Sequence, residues 1–129
     1  MNLSRLTGAA MAAALLLFAA LPAWAMNSNK WRIQCSEGAK SSGEITFGFG
    51  FGDAADFDVV VPIPDGTSEN HVARIIRDTF RKQLDSRKFS VEIDDGEDVL
   101  VKAGHGQKDF TLTLKSNTVE AVRIGLDRE

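Results

Sequence analysis

Apolar side chains recur at every second position through much of this chain. Trp31, Ile33 and Cys35 fall on one side of an extended backbone. So do Ile45, Phe47, Phe49 and Phe51, and then Phe57, Val59, Val61 and Ile63. The alternation returns in Phe89, Val91 and Ile93, in Phe110, Leu112 and Leu114, and in Val122, Ile124 and Leu126, with a shorter apolar run at Val99-Leu100-Val101. A period of two predicts strands with one buried face. Turn-forming clusters separate the runs: Gly52-Asp53, Asp94-Asp95-Gly96 and Ser116-Asn117. Asp95-Gly96 between two apolar runs is a hairpin signal, because both residues tolerate the positive φ that tight hairpin turns require.

One segment has a different period. From Ser68 to about Arg87, Val72, Ile76, Phe80 and Leu84 are spaced four apart and form one stripe of a helix, with Ala73 and Ile75 beside it. Pro62 and Pro64 end the preceding strand, and Asp65-Gly66 turns the chain. Thr67 or Ser68 is placed to accept hydrogen bonds from the open N–H groups of the first turn. Glu69 suits the positive helix end, and Arg87 and Lys88 suit the negative end. The predicted order is β-β-β-α-β-β-β-β. This is an α+β fold in which a single amphipathic helix packs on one face of an antiparallel meander sheet. The predicted core comprises Trp31, Ile33, Phe47, Phe49, Val59, Val61, Val72, Ile76, Phe80, Leu84, Val91, Ile93, Leu100, Leu112, Leu114 and Ile124. The opposite sheet face, with Thr111, Thr113, Lys115, Glu92 and Arg123, is expected to meet water.

Residues 1–25 fit neither pattern. Arg5 precedes an apolar run from Ala9 to Ala20, Pro22 breaks it, and Ala23-Trp24-Ala25 has the small-x-small form of a cleavage site. The run is too short for a membrane span, which needs roughly 18 or more apolar residues. Residues 1–25 therefore read as a cleaved secretory signal peptide and residues 26–129 as a single α+β domain. The reading is of a small exported soluble bacterial protein of the periplasm or the extracellular space. The mature chain has no second long apolar run, so no membrane span is expected in it.

Composition sharpens this picture in one respect. The chain of 129 residues carries a net charge of −3, which argues against nucleic acid as a partner. The charge is uneven, however. Residues 66–88 hold six basic and three acidic side chains, while the segments on either side are acidic. The helix is thus a basic element on an acidic body. Arg74, Arg77, Arg81 and Lys88 are the candidate binding residues for an anionic partner, either a protein or an envelope component. The plainer account of them is a solvated helix back, steadied by Asp78–Lys82 and Arg81–Asp85 pairs four residues apart.

Other candidate chemistry is sparse. The FGFGFG run, Phe47 to Gly52, sets phenylalanines on one face and glycines on the other. That pattern suits either a core strand packed tightly on its glycine side or self-association by strand addition. Carboxylates crowd the turn EIDDGED, Glu92 to Asp98, but without the spacing of a calcium loop. His71 and His105 lack a zinc-site spacing, and no metal or other cofactor is called for. Asp58 stands beside an apolar run without the surroundings that would mark an acid–base residue. Cys35 is the single cysteine, which excludes an intrachain disulfide. It alternates with core residues, leaving an inert buried thiol or, in an oxidising compartment, an intermolecular disulfide. No catalytic residue emerges. The sequence favours a non-catalytic protein- or envelope-interaction module over a self-assembling structural protein, and both over a small envelope-acting hydrolase.

Overall fold

The computed structural model describes residues 27–52 and 56–129. The expected signal peptide and Asp53 of the Gly52-Asp53 turn lie outside these residues. The elements follow the predicted order: β1 (Lys30–Ser36), β2 (Gly43–Gly50), β3 (Phe57–Ile63), α1 (Glu69–Gln83), β4 (Phe89–Asp94), β5 (Asp98–Ala103), β6 (Thr111–Asn117) and β7 (Arg123–Arg128). The fold is α+β, with a single helix among the described residues packed on antiparallel strands.

The strands do not run in sequence across one sheet. They divide into a four-stranded sheet, in the order β4-β5-β1-β7, and a three-stranded sheet, in the order β3-β2-β6. Every pairing is antiparallel. The edges of the two sheets are β4 and β7, and β3 and β6. Helix α1 lies against β3 and β4, and reaches β1 and β5, while β6 touches β7 where the chain passes between the sheets. The helix and the β6–β7 corner therefore flank the two sides on which the sheets would otherwise gape.

Local chemistry sets these elements. Asp95 and Gly96 take φ of 53° and 79° in the β4–β5 turn, the left-handed pair anticipated from the sequence. Ser68 is the N-cap of α1, but its side chain caps nothing. The Thr67 hydroxyl instead donates backwards to Pro64 O at 2.7 Å, and Glu69 accepts from the Glu37 backbone N–H at 2.9 Å. The helix ends at Gln83, earlier than its apolar stripe suggests. Leu84 is already extended, with φ −87° and ψ 147°, yet it remains buried, so the stripe continues after the helix stops.

The core lies between the sheets and under α1. Trp31, Ile33, Phe47, Phe49, Val59, Val61, Val72, Ile76, Phe80, Leu84, Val91 and Leu112 are buried as the alternation predicts, with Ile45, Ile63, Val99, Val101 and Phe110. Burying a side chain such as Val72, Ile76 or Phe80 contributes about 1.5–3 kcal/mol. Phe49 is central: its ring meets those of Phe57, Phe80, Phe89 and Phe110 at centroid distances of 5.2–5.9 Å. The Trp31 indole N–H donates to Phe110 O at 3.0 Å, so its one polar group is satisfied inside.

Three predicted core positions are less buried than expected, and a fourth is buried outside the main cluster. Leu114 is 38% exposed: it is on edge strand β6, just past the register shift between Thr46 and Phe47, where no further strand covers it. Ile93 and Ile124, on the edge strands β4 and β7, are only partly buried. Leu100 is buried but stands apart from the main cluster, on the other face of β5 from Val99 and Val101, with Arg32 and Glu92 as its cross-strand neighbours.

Candidate functional site

The four candidate residues separate into two places. Arg74, Arg77 and Arg81 recur at three- and four-residue intervals along α1, so they share one flank of the helix, turned away from the buried Val72, Ile76 and Phe80. Arg74 is exposed and has no polar partner among the described residues. Arg77 Nε donates to Asp78 Oδ1 at 2.8 Å, and this bond holds the Asp78 carboxyl below the usual carboxylate range. Arg81 Nε donates to Val91 O on β4 at 2.8 Å, tying the helix to that edge strand. The expected pairs four residues apart do not form. Asp78 takes Arg77 instead, and Asp85 takes Arg87, two residues away.

Lys88 is not on the helical face. It follows the end of α1 by five residues, in the link to β4. Its backbone N–H donates to Asp85 O at 2.9 Å, and its carbonyl accepts from Gly104 N at 2.6 Å. Lys88 is among the residues lining an open cavity of about 750 Å³ at the C-terminal end of α1. Phe51, Phe57, Leu84, Phe89 and Ala103 form the apolar walls; Gln83, Asp85, Lys88, Gln107 and Lys108 supply the polar groups. Asp85 is engaged by Arg87, whose guanidinium meets both carboxylate oxygens at 3.2 Å and whose backbone N–H donates to Oδ1 at 2.9 Å. That arrangement lowers the Asp85 carboxyl below its ordinary value. A smaller hollow of about 340 Å³ lies beside it, shares Leu84 and Phe89, and includes Arg81.

The remaining candidates are occupied or apart. The acidic turn faces Arg32, whose guanidinium meets Asp98 at 2.8 Å, Asp94 at 2.9 Å and Glu129 at 3.3 Å. These carboxylates raise the pKa of Arg32 and hold it charged. Lys102 pairs with Glu92 at 2.8 Å and thereby lowers the Glu92 carboxyl, and Lys115 pairs with Asp58 at 2.9 Å. His71, at the start of α1, and His105, in the turn after β5, are both exposed. No group of three or more His, Cys, Asp or Glu placed to hold a metal ion exists among the described residues. No helix among them is long and apolar enough to cross a membrane.

Cys35 is free and 3% exposed, on β1 between β5 and β7. Burial first, then the charges of Asp98, Glu69 and Glu97, push its thiol up to about 12. The thiolate that disulfide exchange requires is therefore suppressed in the folded chain.

Two of the three glycines of FGFGFG, Gly48 and Gly50, are explained by packing, while Gly52 takes a positive φ of 79° in open space. β2 is the central strand of its sheet, so both its hydrogen-bonding edges are taken. A Cβ on Gly48 would come within 2.7 Å of Thr113 Oγ1 and Lys115 Cε, and one on Gly50 within 2.5 Å of Thr111 Oγ1. The threonine hydroxyls lie at 3.4 Å from the carbonyls of Gly48 and Gly50.

The cavity is the feature that sequence reading misses. Its walls come from the end of β2, the start of β3, the α1–β4 link and the segment after β5, four stretches with no shared motif. The one available signal was that Phe51 and Phe57 end two apolar alternations at the same gap in the chain. Taken together, the helix flank and cavity present cations, amides and apolar surface. Comparison with known protein families, characterised proteins and solved structures finds no significant match to this chain.

Proposed function

We propose that this chain is an exported, non-catalytic interaction module that docks an anionic protein or envelope component against the outward flank of α1. The observation that carries this reading is the alignment of Arg74, Arg77 and Arg81 on one helix flank, in a chain that is otherwise acidic. Arg74 is unpaired among the described residues, and Arg77 meets only the half-exposed Asp78. Arg81 is held to β4 through Nε, which fixes where its guanidinium stands. Cations held in a row raise the local concentration of an anionic partner and orient its approach. Export rests on Arg5, the apolar run from Ala9 and Ala23-Trp24-Ala25. Strand addition at FGFGFG is less well supported because β2 is doubly paired. A hydrolase is less well supported because Asp58, Glu92, Asp94 and Asp98 are each committed to a cation.

The test is affinity capture with the tagged chain, expressed with its leader and recovered from the cell envelope. The recovered protein is expected to begin at Met26. It is expected to retain one dominant partner, released by high salt and lost when Arg74, Arg77 and Arg81 are all changed to Ser. A partner retained by that triple variant overturns the docking face. Recovery of the bait alone, in quantity, replaces the reading with self-assembly.

A further inference from the structure

We infer that β7 is where two copies of this chain join, strand against strand, across a two-fold axis at Gly125. This surface is separate from the arginine flank and does not depend on it. Backbone hydrogen bonds show which groups β7 leaves open. Cys35 N–H donates to Glu97 O, just before β5, and Glu129 N–H donates to Lys30 O. Backbone groups alternate sides along an antiparallel strand. Arg123, Gly125 and Asp127 therefore bond to Ser36, Gln34 and Arg32, while Ile124 and Leu126 turn their N–H and C=O groups away from β1. β7 is an edge of its sheet, so no strand meets those groups among the described residues. The other edges each carry a feature that opposes further pairing. On β4, the Val91 carbonyl accepts from Arg81 Nε. On β3, Pro62 offers no N–H and α1 packs alongside. β6 has a register shift at Lys115, between the partners of Thr46 and Phe47. β7 keeps an unbroken register with β1 over its 6 residues and contains no proline, lysine or bulge.

The side chains select a second copy as the partner. Arg123 and Asp127 are exposed, and neither has a hydrogen bond or ion pair among the described residues. Arg32, the cross-strand neighbour of Asp127, is committed to Asp94, Asp98 and Glu129. The two unpaired charges are opposite in sign and stand two residues to either side of Gly125. A second β7, antiparallel and centred on Gly125, sets Arg123 of each copy against Asp127 of the other. These are non-hydrogen-bonded positions, where facing side chains come closest. Ile124 of each copy falls opposite Leu126 of the other, and these residues exchange the backbone hydrogen bonds that β7 leaves open. Both side chains are only partly buried, so their pairing covers apolar surface that the single chain exposes. A register slipped by two residues either way sets Arg123 or Asp127 against Gly125 and loses both Arg–Asp pairs. The strand is thus complementary to itself in backbone, charge and apolar content, as the shared interface of a two-fold dimer requires.

The protein is expressed with its leader, purified from the cell envelope and followed by sedimentation equilibrium over a wide range of concentration. A reversible monomer–dimer equilibrium is expected. Arg123→Asp and Asp127→Arg each oppose like charges across the axis, and each is expected to weaken the dimer by about tenfold or more. An equal mixture of the two single variants is expected to regain the dimer, because the charges of one then face their opposites on the other. The double variant, Arg123→Asp with Asp127→Arg, is expected to regain it alone. The Ile124 and Leu126 amide protons should exchange more slowly in concentrated than in dilute protein. Both substituted positions are exposed, and circular dichroism of each variant verifies the fold. Should a single variant fail to fold, the concentration dependence of those two amides decides the matter. A protein that stays monomeric throughout overturns the proposal. So does a dimer indifferent to both single variants, or a mixture of them that remains monomeric.

Discussion

Replacing Phe80 by alanine is expected to lower the unfolding free energy by about 3–5 kcal/mol, the range for truncating a large buried aromatic. Phe80 has no exposed surface. It is the last buried residue of α1 and projects between the sheets, edge-on to Phe47 at 5.2 Å and to Phe49 at 5.4 Å. Both partners belong to β2, the central strand of its sheet, so the void cannot close by a shift of an edge element. Edge-to-face pairs add about 0.5–1.5 kcal/mol beyond the area they bury. A domain of this size has a total stability of about 5–15 kcal/mol, so the variant stands near the limit of folding. Urea unfolding of both proteins measures the difference. A loss below about 1 kcal/mol would mean that α1 does not seal the core through Phe80. Phe49→Ala should cost a similar amount, and the double variant less than the sum, because the rings share one contact.

The helix itself was legible because its face obeys one period. Val72, Ile76 and Phe80 are four apart, and no strand pattern competes with them. Its end was not legible, because the extended Leu84 drops into the same core that a further helical turn would have reached. The strands were legible for a similar reason: alternation states which side chains face inward. It does not state which strand is the neighbour. β1 lies between β5 and β7, and β2 takes β6 as well as its successor β3; the β1–β5, β1–β7 and β2–β6 pairings join residues far apart in the chain. No local pattern records such pairings. The partial exposure of Leu114, Ile93 and Ile124 follows from the same gap, since each belongs to a strand at a sheet edge. Charge behaved likewise. Arg74, Arg77 and Arg81 were grouped by helical spacing and remain on one flank. Lys88 left them when the helix ended, and joined a cavity assembled from four distant stretches.

The second large effect is alkaline. Stability should fall above pH 9, and a single thiol contributes a separable part of the fall. Cys35 has a folded pKa pushed up to about 12, chiefly by burial. In the unfolded chain a cysteine titrates near 8.5. Below that value both states keep the proton, and the contribution of burial is fully present. Between about 9 and 12 the unfolded chain releases its proton while the folded chain retains it. Unfolding is then favoured by about 1.4 kcal/mol for each further pH unit. The chain has no tyrosine, so no phenol titrates in the same window. Lysine side chains in general do. Their contribution is common to the protein and to Cys35→Ala, and cancels in the difference. Cys35→Ala is expected to be the less stable protein at pH 8, because it loses a buried side chain. Its deficit should shrink by about 1.4 kcal/mol per unit as the pH rises from about 9 toward 11. Urea unfolding of both proteins across that range supplies the comparison. Parallel curves would show that the thiol does not titrate differently in the two states, and that β1 leaves it open to solvent. The same geometry governs intermolecular disulfide formation. Since Cys35 is 3% exposed within the core cluster, a second chain reaches Sγ only after that core opens. A disulfide-exchange reagent should accordingly modify folded protein at the rate of opening and unfolded protein at once.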